Sequence, residues 1–266
     1  MDVQGLKRIG TLDERFQSYN IEMASVTGAD FWKPYGAPAA EPSAVPAPSN
    51  APTGMDPNMY EYRPPRDLAD PRLRTLAAAL GPAYLRVSGT WANSTYFADT
   101  DQPPATAPEG FNGVLTREQW RGVIDFANAT DAKIVSSFPI SAGTRDASGA
   151  WTPEQAQRWL DFTRSAGGEI AAAEFMNEPN VAAMGGAPQG YDAADYGRDF
   201  KAFKAFIDKA DPDMTILGPG SVGEGPAGFG ADAENLGELM DAAGVIHSED
   251  MLAAAGPGVD GFSYHH

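Results

Sequence analysis

The feature that most constrains this chain is a rhythm. Short apolar runs recur about every 40 residues, with helical patterns between them, and strands alternating with helices at that spacing make parallel βα units. The runs lie at 15–26, 83–90, 132–138, 169–180, 214–217 and 259–264. Between them, Leu73, Leu76, Ala77 and Leu80 share a helical face that Gly81-Pro82 ends. Thr116 with Glu118 and Gln119 caps a helix over 116–129 whose apolar face is Trp120, Val123, Ile124 and Ala127. Pro153 opens a helix over 153–166, and Tyr196, Phe200, Phe203 and Ile207 mark one over 192–210. Helical material is also expected at 233–255. One stretch breaks the rhythm: from Pro34 to Pro65, prolines at 38, 42, 46, 48, 52 and 57 exclude a helix or inner strand. It is expected to be a long extended loop, either an interdomain linker or a wrap around an active-site face.

Composition narrows the function. The 266 residues, 42% hydrophobic, can bury a sizeable core. A net charge of −17, with no cluster of Lys or Arg, argues against nucleic acid as a partner. There is no cysteine, hence no disulfide framework or thiolate nucleophile, and the three histidines, His247, His265 and His266, make a His-built metal site improbable. Neither a cofactor nor a metal is expected. No apolar run is long enough to span a bilayer, so no membrane partner is expected. Met1-Asp-Val-Gln-Gly lacks signal-peptide character, and an exported form would be one whose leader has been removed.

The chemistry concentrates in Glu169–Asn180, an apolar run ending in Asn177-Glu178-Pro179. A carboxyl placed directly after a buried strand is poorly solvated on one side, which suits it to hold a proton as a general acid must. The Asn177 amide both donates and accepts, which suits grasping a hydroxyl beside the reacting bond. Glu174 lies four residues earlier, about 13 Å away along an extended strand, and reads as a structural, ion-paired carboxylate. Gly218-Pro-Gly-Ser-Val-Gly223 matches a dinucleotide-binding pattern, but Pro219 removes an amide that a phosphate would use, so a turn explains it better. The serines lack a nucleophile elbow. Thr90 and Trp91 follow a strand end, where Trp91, like Tyr96, could stack on a sugar or simply be packed. Tyr264 and His265 stand at the mouth of the last strand.

Several of these segments together resemble the retaining glycoside hydrolases with (β/α)₈ barrels, and most closely the heparanase and β-glucuronidase family. Leu73-Arg-Thr-Leu followed by Leu80-Gly-Pro-Ala-Tyr-Leu-Arg-Val-Ser-Gly-Thr90 is similar to that family's first helix and second strand. Glu174-Phe-Met-Asn-Glu-Pro-Asn180 resembles its fourth strand, and Leu217-Gly-Pro-Gly-Ser and Phe262-Ser-Tyr-His-His266 its fifth and sixth. The resemblance implies Glu178 as proton donor and then base, Asn177 as ligand of the sugar 2-hydroxyl, Glu22 in the sugar pocket, and a glucuronide as substrate. It implies an α/β fold in which 15–266 is the first part of a (β/α)₈ barrel, with 1–14 as a preceding segment that a β-sandwich could include. Retention needs a second carboxylate about 5–5.5 Å from the first. In this family it comes from strand 7, so the nucleophile is expected beyond His266, on a further part of the same enzyme. Two alternatives stay open: another retaining β-glycosidase, cutting xylosides or glucosides, and a non-catalytic carbohydrate-binding protein.

Overall fold

The computed structural model of the protein describes residues 9–34, 36, 52, 57–223 and 244–265. Its centre is one curled sheet of six parallel strands, Gln17–Glu22 (β1), Ala83–Ser88 (β4), Ala132–Ser137 (β7), Ile170–Glu174 (β8), Thr215–Val222 (β9) and Gly261–His265 (β10). The strands lie side by side in the order of the chain. Sequential parallel order is that of a (β/α)₈ barrel, of which this sheet supplies six strands. Each of the six apolar runs contains one of these strands, and the register places Glu22 beside Ser88 and Ser137 beside Glu174, so their C-terminal ends form one rim.

The helices form where caps and periodicity place them. Arg117–Ala129 (α3) starts from a full capping box, in which Thr116 Oγ1 accepts from the Gln119 amide at 3.1 Å and Gln119 Oε1 accepts from the Thr116 amide at 2.9 Å. The face expected to be apolar is buried. Glu154–Ser165 (α4) follows Pro153, and Ala193–Ala210 (α5) is capped by Asp192, whose side chain accepts from the Asp195 amide at 2.9 Å. Large rings lock these helices to the sheet: Trp120 meets Trp159 at 4.8 Å between ring centroids, Trp159 meets Phe138 at 5.7 Å, and Phe138 meets Phe203 at 5.8 Å. Full burial of each such side chain contributes about 2–3 kcal/mol.

Several expectations need correction. The run 15–26 is strand only to Glu22; Met23–Thr27 (α1) is a helical turn that ends on Gly28 at φ 77°. The extended loop does not reach Pro65, because Tyr60–Arg63 (β3) returns antiparallel against Ala29–Trp32 (β2). Its prolines at 38, 42, 46 and 48 lie outside the described residues. The glycine-rich stretch from Gly218 is not a turn: β9 continues through it to Val222, with Gly220 at φ 75° opposite a register shift between Ser263 and Tyr264. A bulge thus absorbs the residues that read as a break. Of the helical material expected at 233–255, Ser248–Ala255 (α6) is helix, and 224–243 lie outside the described residues. The leucine face of Pro71–Ala78 (α2) is not buried: Leu73 and Leu76 are exposed, as is Leu80 beyond it, and only Ala77 is covered. Leu73 lies over the unpaired edge of the sheet beside Ile21, where no described element covers it. Thr95–Ala98 (β5) and Gly113–Thr116 (β6) form a small parallel pair that periodicity did not reveal.

The connection after β7 is pinned to α5 by a buried charge cluster. Asp199, fully buried, pairs with Arg145 and with Arg198 Nε (2.9 Å) and accepts from Tyr191 Oη at 3.2 Å and from the Trp151 amide at 3.2 Å. Removing Asp199 strands the buried Arg145 cation, so Asp199→Ala should cost about 3–5 kcal/mol in urea denaturation. A loss under about 1 kcal/mol would show that the cluster does not hold α5 in place.

Candidate active site

The rim of the sheet opens on a cavity of about 460 Å³. Glu22, Thr90, Trp91, Asn177, Glu178 and His265 all line it, joined by Asn20, Phe31, Trp32, Arg86 and Met184. Tyr264 does not join them. It lines a second hollow of about 550 Å³ instead, which Arg86, Glu174 and His265 line as well. Pro52, at the far side of the proline-rich segment, also lines the first cavity, as do Phe31 and Trp32 before it. The two readings of that segment fall on residues that lie outside the described ones.

Glu178 is not on the strand itself. β8 ends at Glu174, and Glu178 stands at the head of the 3₁₀ segment Pro179–Gly185 with φ 48° and ψ 60°, in the left-handed region. For a residue with a Cβ this conformation costs about 1–2 kcal/mol and persists only where the surroundings enforce it. Two asparagines do so. Asn93 Oδ1 accepts from the Asn177 amide at 2.9 Å while Asn93 Nδ2 donates to the Asn177 carbonyl at 2.8 Å. On the other side, Asn180 Nδ2 donates to the Val222 carbonyl at 2.7 Å and Asn180 Oδ1 accepts from the Val222 amide at 3.0 Å. Each side chain thus satisfies a backbone pair as a neighbouring strand would, and Glu178 is held between the two clamps.

A charge network lies beneath. Arg86, in the middle of β4, donates to Glu174 Oε2 through Nη2 (2.6 Å) and Nε (3.1 Å), to Asn177 Oδ1 through Nη2 (2.9 Å), and to Asn20 Oδ1 through Nη1 (3.0 Å). Asn20 Nδ2 in turn donates to Glu22 Oε1 at 2.8 Å. On the other flank, His265 Nδ1 lies 3.1 Å from Glu178 Oε1 and Nε2 lies 3.5 Å from Glu174 Oε1. One imidazole reaches both carboxylates, so they stand closer than the separation an extended strand gives, because the chain bends after Glu174. Glu174 nevertheless remains the structural carboxylate, buried and committed to Arg86. Gly89, at φ 100°, lets Glu22 approach: a Cβ there would stand 1.7 Å from Glu22 Oε2. Among the described residues no group of three His, Asp or Glu side chains is arranged to hold a metal ion.

The network sets protonation. Burial alone would raise Glu174, but His265 and Arg86 outweigh it and bring the carboxyl down to about 2. Burial alone would lower His265, but the carboxylates of Glu174 and Glu178 on either side of the ring outweigh it and lift the imidazole to about 9. Burial raises Glu22, with Arg86 and Asn20 opposing and Glu178 adding to the rise. Arg86, Asn20, Asn93 and Asn180 were not singled out by motif; the one available signal for Arg86 was a charge flanked by Leu85 and Val87 in an apolar strand.

The linkage has a definite sign. His265 is raised on folding, so its contribution is complete below its ordinary value of 6.5 and disappears as pH rises through about 9. Glu174 is depressed, so its contribution is complete above 4.5 and disappears as pH falls through about 2. His265→Gln should therefore cost about 2 kcal/mol in denaturant melts at pH 6, and the difference from the parent should vanish by about pH 10. A difference independent of pH would show that His265 carries no charge between the carboxylates.

Residues 67–259, well over half of the chain, match the family described as "Glycosyl hydrolase family 79, N-terminal domain". No curated protein matches the chain. Among solved structures, the catalytic domain of a family 30 xylanase C from Talaromyces cellulolyticus is 13% identical, with a TM-score of 0.45, covering 74% of this chain and 49% of its own. A family 51 α-L-arabinofuranosidase from Bifidobacterium longum is 15% identical, with a TM-score of 0.48, covering 95% and 43%. The α-L-arabinofuranosidase of Thermotoga maritima is 15% identical, with a TM-score of 0.47, covering 92% and 48%. The chain thus spans just under half the length of these structures. On the strength of the match over residues 67–259, the chain belongs to glycosyl hydrolase family 79, within its N-terminal domain.

Proposed function

We propose that the protein hydrolyses β-glycosidic bonds with retention of configuration, Glu178 serving first as acid and then as base. The observation that carries this is the placement of Glu178: a strained, clamped residue whose carboxylate lines a cavity at the C-terminal rim of a parallel sheet. Glu178 protonates the departing glycosidic oxygen while a nucleophilic carboxylate attacks the anomeric carbon, and then deprotonates the water that releases the sugar. Asn177 Oδ1 is committed to Arg86, which leaves its Nδ2 to donate to the sugar 2-hydroxyl. Glu22, at the end of β1, faces the same sugar. His265 keeps Glu178 in place between substrate encounters, and Thr90 and Trp91 complete the wall.

The nucleophile is proposed to come from a further part of the same enzyme, on strands that pair with the free edges of β10 and β1. Phe262 on β10 is exposed and lines the second hollow, which such strands would cover. A β-glucuronide is the substrate proposed on family grounds. A neutral sugar is the second reading, favoured by the charge of the cavity: Glu22 and Glu178 line it, and its cations, Arg86 and His265, are already paired with carboxylates.

Glu178→Ala in the complete enzyme tests the role. Turnover of glycosides with poor leaving groups should fall about 10²–10⁴-fold. Dinitrophenyl glycosides, whose leaving group needs no proton, should still form the glycosyl-enzyme, and added azide should restore turnover by replacing the base-activated water. Loss of less than about twofold on unactivated substrates would rule Glu178 out. The same assay run with glucuronides, glucosides and xylosides decides the sugar.

A further inference from the structure

The hairpin of β2 and β3 carries an aromatic arrangement that the mechanism does not use. Trp32 and Tyr60 are cross-strand partners, with ring centroids 4.5 Å apart at an interplanar angle of 34°. Tyr60 stands 6.3 Å from Trp91, and Phe31 stands 5.1 Å from Trp91. Tyr60 and Trp91 are buried, 5% and 8% exposed, whereas Trp32 is 39% exposed and lines the cavity that holds Glu178. The expectation that Trp91 stacks on a sugar therefore moves to a different ring: Trp91 is part of the backing, and Trp32 is the ring it helps to hold. Leaving an indole in water forfeits burial energy that packing would recover. Here it is also held still. The Trp32 carbonyl accepts from Arg63 Nη2 at 3.1 Å, and the Lys33 amide donates to the Met59 carbonyl at 3.0 Å.

We propose that Trp32 is a stacking platform for a second sugar ring, joined to the ring cut at Glu178. This rests on the carbohydrate reading above. A β-linked pyranose with equatorial hydroxyls presents a face of axial C–H groups, and a flat ring, fixed in advance and open on one side, buries that face at little entropic cost. The charge around the platform selects a neutral ring. Glu22 and Glu178 share the cavity. The hairpin's cations are engaged, Lys33 Nζ with the Asn58 carbonyl at 2.8 Å and Arg63 with Glu61 at 2.8 Å. A sulfated or carboxylated unit would meet the carboxylates of Glu22 and Glu178 there. The substrate is thus at least a disaccharide unit with a neutral pyranose at this position, rather than a simple aryl glycoside.

Calorimetric titration of the Glu178→Gln protein, which binds without turnover, tests this. The probes are glucuronic acid, glucose and xylose, and β-linked disaccharides that join each to glucose. The parent should bind one of the disaccharides about tenfold tighter than its monosaccharide, and Trp32→Ala should remove that gain while leaving the monosaccharide unchanged. Trp32→Leu, apolar but without a flat face, should behave like Ala, and Trp32→Tyr should keep affinity within about threefold. Disaccharide binding that is equal in the parent and in a folded Ala or Leu variant overturns the platform while leaving the glycosidase reading intact. A parent that binds none of the sugars overturns both.

Discussion

The guanidinium of Arg86 sits where the rim of the sheet is knit together. It reaches from the middle of β4 to Asn20 on β1, Glu174 at the end of β8 and Asn177 in the bend beyond. Each of those contacts fixes a group that faces the cavity or supports one that does. A cation placed between Leu85 and Val87 would be costly if unpaired, and Glu174 without its partner would be an uncompensated buried anion; either loss costs about 3–5 kcal/mol. Glu174 then passes the constraint to His265, and His265 to Glu178. The site is in this sense one electrostatic unit spread over four strands of the sheet.

That unit explains how the chain tolerates a glutamate in a left-handed conformation. The Asn93 and Asn180 clamps close the backbone on both sides of Glu178, and the rings of Trp159, Phe138, Phe175 and Phe203 form a dense layer behind them. The strain is local and the support is broad. It directs the carboxylate into the cavity instead of along the strand, where sheet geometry alone would have left it.

Much of this was legible before the structure. Periodicity located six strands and the main helices because each must bury one apolar face, and the capping box at Thr116 and Gln119 is a local chemical signal. Glu178 and Asn177 stood out because a carboxyl and an amide close an apolar run. What escaped notice was non-local. Tyr60–Arg63 is a strand because Ala29–Trp32 is there to pair with it, across an intervening proline-rich segment. Gly218–Val222 stays in the sheet because β10 pairs with it along one side, the Asn180 side chain holds Val222 on the other, and a bulge absorbs the extra residue. The leucines of α2 have helical spacing, and the spacing was right, but they cover an edge where no described element packs. Asn93 and Asn180 resemble any loop asparagines until the backbone they clamp is seen, and the exposed ring proved to be Trp32 because burial of Trp91 is a tertiary fact.

In the proposed mechanism Glu178 is one of a pair of carboxylates set for retaining hydrolysis. The most direct measurement is a crystal structure of the complete enzyme with a sugar trapped on its nucleophile. The expected result is a covalent bond to a second carboxylate about 5–5.5 Å from that of Glu178, with Glu178 within hydrogen-bond reach of the water that releases the sugar. A sugar bound away from Glu178, or a carboxylate pair about 6.5–9.5 Å apart with no covalent intermediate, would contradict it.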